Sequence, residues 1–214
     1  MYIEKKPIES IRPLKNYVKV KIHIPEDIRS KGGLVIINNA KISKFFIGIE
    51  ILEGEIIELS IGAGKLSKGV LKPGDKVIFD NLSGITIPTE GNDCIKLIDV
   101  SMLILKNTGN YEELNAKELT PNFDRVLVKL DPSAKKTSGG IILPGTQVSN
   151  FRDAGILCGK VISISHEIDD IVPGDQVVFD EFCGVPVQIG NEKYRIIVKY
   201  DIFAKISNIP SLQN

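Results

Sequence analysis

The residues of this chain that could do chemistry are few, and they do not stand together. His23 falls on the alternating, polar side of a strand-like run, and His166 lies in a polar stretch beside Asp169 and Asp170. A general acid or base needs a partner held within hydrogen-bond reach, and neither sequence context supplies one, so both read as surface imidazoles. Cys94, Cys158 and Cys183 are an odd number with no C-x-x-C pair. That pattern predicts neither a zinc cluster nor a disulfide framework, only small buried thiols. Gly62-Ala63-Gly64-Lys65 looks like a piece of a phosphate loop, but without a following helix to bind an anion it reads as a turn. There is no G-x-S-x-G elbow and no G-x-G-x-x-G fingerprint. Asn81-Leu82-Ser83 fits a glycosylation sequon and reads as chance. The expectation is a protein without a catalytic centre, metal or cofactor.

Two loop-like segments carry more information. Gly32-Gly33 is followed by Leu34-Val35-Ile36, and Gly139-Gly140 by Ile141-Ile142-Leu143, each flanked by small and polar residues. The glycine pair frees the backbone. An apolar triplet left in water forgoes roughly 1.5–3 kcal/mol per side chain that could have been buried. One reading makes each triplet a further buried strand. The other makes it a docking loop that becomes ordered when a partner offers an apolar groove. The first loop adds Ile42, Phe45, Phe46 and Ile47, which could fold back on their own domain or broaden a contact.

Composition narrows the partners. The 214 residues are 43% apolar and 25% charged, with 27 basic and 27 acidic side chains. Phosphate backbones and anionic lipid surfaces call for clustered cations, so neither nucleic acid nor membrane is expected as a partner. No apolar run approaches the ~20 residues of a membrane span. The first ten residues show neither signal-peptide nor transit-peptide character.

The elements that must hold the loops come in two copies. Pro73-Gly74-Asp75 recurs as Pro173-Gly174-Asp175, with Val77, Phe79 and Asp80 matching Val177, Phe179 and Asp180. Upstream, Pro13, Val18, Val20 and Lys21 match Pro121, Val126, Val128 and Lys129, and the glycine-pair loops lie between these blocks. Matching blocks in one order, with small drifts in spacing, describe a tandem duplication. Val18, Val20, Ile22 and Ile24 alternate with Tyr17, Lys19, Lys21 and His23, which predicts a strand with one buried and one wet face. Further strands are expected at 55–61, 76–79, 95–98 and 102–105, and at 160–164, 176–179, 194–200 and 202–206. The fold expected is all-β, two tandem small barrels of about five to seven strands each. The first domain is placed at residues 8–106, a polar linker at 107–119 and the second domain at 120–208.

Taken together, Ile11-Arg12-Pro13-Leu14, the Gly-Gly-apolar loops, the Gly-x-apolar strands after them, Pro-Gly-Asp-x-Val-x-Phe and Asp201-Ile202-Phe203-Ala204 resemble the ten-kilodalton co-chaperonins, the GroES family. The resemblance covers both halves, as in the double, twenty-kilodalton plastid type. It departs at Asn16-Tyr17, where the family has Asp-Arg as at Asp124-Arg125, and in short segments before each Pro-Gly-Asp. The resemblance implies a GroES-like fold for each half. It also implies a lid that hydrolyses nothing itself and caps an Hsp60 or Cpn60 chaperonin ring in its ATP-bound state. The family's mobile loops would correspond to Gly32, Gly33, Leu34, Val35 and Ile36, and to Gly139, Gly140, Ile141, Ile142 and Leu143. Partners would be the chaperonin ring and other co-chaperonin domains, from this chain or from single-domain co-chaperonins, in a ring-shaped oligomer. The compartment implied is the plastid stroma if a transit peptide has been removed, and otherwise the cytoplasm. A tandem β-barrel module for peptide or nucleic acid is the competing reading.

Overall fold

The computed structural model describes residues 7–23, 45–48, 50–89, 93–110, 113–131 and 155–206. Among these residues, thirteen strands build two antiparallel sheets. The first contains β1 (Tyr17–His23), β2 (Ile51–Leu59), β3 (Lys76–Asp80), β4 (Ile85–Pro88), β5 (Asp93–Asp99), β6 (Leu103–Asn107) and β7 (Leu119–Pro121). Their order across the sheet is β4-β5-β1-β2-β3-β6-β7. The second contains β8 (Arg125–Leu130), β9 (Ile156–Ile164), β10 (Gln176–Asp180), β11 (Val185–Ile189), β12 (Glu192–Val198) and β13 (Ile202–Ile206). Its order is β11-β12-β8-β9-β10-β13, the same path without an equivalent of β7.

The duplication extends to irregularities. The β1–β2 ladder slips between Lys19 and Val20, and β8–β9 slips between Leu127 and Val128. A second slip separates Ile78 from Phe79, and its counterpart separates Val178 from Phe179. Each bulge bends its strand and increases local twist, which lets a short sheet close over its own side chains. Gly54 and Gly159 sit where β2 and β9 cross Val20 and Val128; an added Cβ would collide with those side chains and with the carbonyls of Lys21 and Lys129.

Each half has its own core. Phe79, at 0% exposure, packs with Val18, Val20, Leu52, Ile56 and Val77. Phe179 packs with Val126, Val128, Val161, Val177 and Ile197. The Pro-Gly-Asp turns lock these cores by one scheme. Asp75 accepts the Lys72 amide at 2.8 Å and the Lys106 ammonium at 2.8 Å. Asp175 accepts the Val172 amide at 2.9 Å and pairs with Lys205 at 2.7 Å. Gly74 and Gly174 supply the positive φ, and their amides reach Ile56 O and Val161 O.

Two sequence expectations are corrected. The Gly62–Lys65 stretch is not a bare turn but part of a short helix, α1 (Ile61–Leu66). The Ser60 hydroxyl accepts the Ala63 amide at 3.1 Å, Ala63 is buried against the first core, and Lys68 and Gly69 end the helix with positive φ. Capping and one buried contact outweigh two glycines. The wet face of β1 is not wet at its centre, because Lys19 is 4% exposed. Its counterpart in β8, Leu127, is at 0%. Strands β4, β7 and β11 were not anticipated.

Candidate functional site

The ten glycine-pair and triplet residues lie outside the described residues, at Gly32–Ile36 and Gly139–Leu143. The structure does define their frames. The first segment leaves the end of β1 and re-enters before β2; the second leaves the end of β8 and re-enters before β9. β1 and β2 are hydrogen-bonded neighbours, with Lys21 opposite Glu55, as are β8 and β9, with Lys129 opposite Lys160. Both segments are therefore hung on the same pair of strands in each half.

The re-entry of the first segment crosses to the other half. Phe46 bridges Val187 of β11, Ile47 N donates to Pro186 O at 3.2 Å, and Phe45 O accepts the Gln188 amide at 2.7 Å. Phe46 is 4% exposed. The apolar cluster that could have folded onto its own domain instead seats Phe46 on its neighbour.

Phe46 belongs to a third core that joins the halves. From the first come Ile51, Ile78, Ile104 and Leu105; from the second Leu127, Val187, Tyr194 and Ile196. Leu114, Ala116 and Leu119 of the connecting segment fill the gap. That segment turns through a 3-10 helix (Ala116–Glu118), with the Asn115 side chain accepting the Lys117 amide at 3.1 Å. It then lays β7 against β6: Leu105 faces Pro121, Lys106 faces Thr120 and Asn107 faces Leu119. The Ser163 hydroxyl holds Leu119 O at 2.8 Å. The Arg125 guanidinium reaches Ser101 O and Leu103 O at 3.3 and 3.4 Å; burial lowers its pKa, and the neighbouring Asp124 opposes the shift.

β13 and residues 11–13 repeat these parts, and among the described residues no strand covers them. β13 pairs with β10 on one side only, and its residues are mostly exposed, Phe203 at 63% and Ile206 at 47%. The equivalent strand β6, covered by β7, is largely buried. Residues 11–13, equivalent to β7, follow a 3-10 turn (Ile8–Ser10) as β7 follows Ala116–Glu118.

Among the described residues, neither His166 nor any cysteine is brought into a metal-holding cluster. His166 is exposed, 3.9 Å from Glu167, and among the described residues no group of three His, Cys, Asp or Glu side chains could hold a metal. Cys94 is buried, while Cys158 and Cys183 are half-buried. No described helix is long and apolar enough to cross a membrane.

Two sheets of the same path, each clamped by a Pro-Gly-Asp turn and each carrying a long insertion between its first two strands, define a double barrel of the GroES-like class. Family comparison agrees: the family described as "Chaperonin 10 Kd subunit" matches residues 10–104 and again 118–206, and the chain belongs to that family of co-chaperonins, which are not enzymes. It is 36% identical over 75 residues to the 10 kDa chaperonin 1, chloroplastic, of Arabidopsis thaliana, covering 35% of this chain and 52% of the relative. The chain thus spans about half the length of that plant relative. It is 34% identical over 91 residues to the co-chaperonin GroES of Kosmotoga olearia, covering 42% of this chain and 97% of the relative. A GroES from Campylobacter jejuni is 36% identical over 78 residues, with 36% and 85% covered.

Proposed function

We propose that this chain is a double co-chaperonin that caps a Cpn60-class chaperonin ring in its ATP-bound state and assists protein folding. Its domains are residues 8–106 and 120–208, with 107–119 as the connection. Docking runs through the triplets Leu34-Val35-Ile36 and Ile141-Ile142-Leu143 beside their glycine pairs. The observation that carries this reading is the family match to each half, with both triplets inserted at the same point of the repeated fold. A loop that orders on binding contributes weakly by itself, so affinity arises from several loops held in one assembly.

The assembly we propose uses the two edges that have no strand partner among the described residues. β13 of one copy adds to residues 11–13 of the next, as β6 adds to β7 within the chain, and repetition closes a ring that can also admit single-domain co-chaperonins. By the internal register, Ala204 faces Pro13, Lys205 faces Arg12 and Ile206 faces Ile11. Likeness to a plant chloroplast protein supports the plastid stroma if a transit peptide is removed; otherwise the compartment is the cytoplasm. The test is refolding of a denatured enzyme with the chaperonin ring, ATP and this protein, each omitted in turn. Recovery should need all three, and this protein should slow ATP turnover by the ring. Full recovery without the ring would reject the reading.

A further inference from the structure

In the second half, Leu127 stands opposite Ser163 in the β8–β9 ladder, and Ser163 holds the carbonyl of Leu119, the first residue of β7. The same ladder position in the first half pairs Lys19 with Glu58. The Lys19 ammonium lies 2.9 Å from Ile11 O, 3.5 Å from Ile8 O and 2.7 Å from the Glu58 carboxylate. Ile11 is the counterpart of Leu119, so one carbonyl is held in each half by different chemistry.

The difference matches what each strand must wait for. β7 is joined by a short connection to the half that contains its partner β6, so β6 is always at hand and a single hydroxyl suffices. Residues 11–13 have no strand partner among the described residues, and their partner must arrive on another molecule. A lysine is almost never this buried unless its charge is paired. Here one ammonium ties two carbonyls of the N-terminal segment to the sheet, balanced by a carboxylate that is 38% exposed.

We propose that Lys19 and Glu58 form a latch that holds residues 8–13 in place as a preformed docking strand for β13 of a second copy of this chain. The proposal rests on the ring assembly given above. The latch lowers the ordering cost of association, because the strand is set before the partner arrives.

Hydrogen exchange on the dilute, unassembled chain tests the latch apart from the ring. Lys19→Leu, which installs the residue of the second half, should speed exchange across residues 8–13 and leave the β3 and β10 amides protected. Sedimentation at rising concentration reads assembly. Lys19→Leu should weaken chain–chain association by about tenfold or more, the scale of a lost hydrogen bond to a charged group. Glu58→Gln, which leaves the ammonium buried without its counter-charge, should weaken it in the same direction. Lys19→Leu with Glu58→Ser transplants the internal pair and should recover most of the loss. Unchanged exchange over residues 8–13 in both single variants would overturn the latch. A wild-type chain that stays monomeric while still capping the chaperonin would instead overturn the docking role and the ring, whatever the exchange shows.

Discussion

Phe46→Ala tests whether the two barrels are one cooperative body. The ring is 4% exposed, bridges Val187 at 1% exposure and lies in the core that joins the two halves. Removing a buried Phe ring typically costs 3–5 kcal/mol, the lower end applying where neighbours can close the void. A loss of about 3 kcal/mol, the lower end of that range, is expected. For a chain of this size that corresponds to roughly 6–12 °C in Tm. The penalty falls on the junction, so calorimetry should show the single wild-type transition splitting as the less stable half melts first. Phe79→Ala, by contrast, empties the first core and leaves the junction intact, so it should lower the Tm of the single transition without splitting it. A Phe46→Ala protein that melts in one transition within about 2 °C of wild type would refute the account, since the junction would then contribute almost nothing.

Other expectations test separate parts. Hydrogen bonding from Lys205, reinforced by the Val172 amide, holds the Asp175 carboxyl below its usual range. Its stabilising contribution is therefore complete above the ordinary carboxylate pKa and is lost as pH falls below it. The unfolding midpoint of Asp175→Asn should depend less steeply on pH in acid than that of wild type, and parallel curves would refute the pairing. Ile142→Ser should weaken binding to an ATP-loaded chaperonin ring while leaving Tm unchanged; a large drop in Tm with full binding would assign the residue to the core. Cysteines at Lys205→Cys and Arg12→Cys in one chain should give a ladder of disulfide-linked oligomers on oxidation, and exclusively monomeric product would exclude the proposed register.

Much of this architecture is legible in the sequence because repetition multiplies weak local signals. Pro-Gly-Asp, Val77 and Phe79 are suggestive once; recurring in order they specify two copies of one strand-turn-strand unit. The strands missed are those that are very short or interrupted by proline. β4 and β11 each contain a proline, Pro88 and Pro186, which argues against a strand unless it lies at an edge, as both do. β7 is three residues long and is a strand only because β6 is beside it. Lys19 was misread because alternation assumes a sheet with one dry face, whereas β1 has its own core on one side and the N-terminal segment on the other. Gly62 and Gly64 obscured α1, although Ser60 stood at its capping position. The two apolar triplets stand out by composition alone, and nothing in their spacing distinguishes a loop awaiting a partner from a buried strand.

The β6–β7 pairing has an arithmetic consequence for any closed assembly. Each chain contributes two barrels and one seam that cannot come apart without unfolding the connection, so only alternate seams can open. A ring made of this chain alone holds an even number of barrels, whatever its size. An odd count requires a single-domain insert, which must present a β6-like edge on one flank and a strand like residues 11–13 on the other. In the proposed ring, members exchange through the Lys19 seams alone, which then set its turnover.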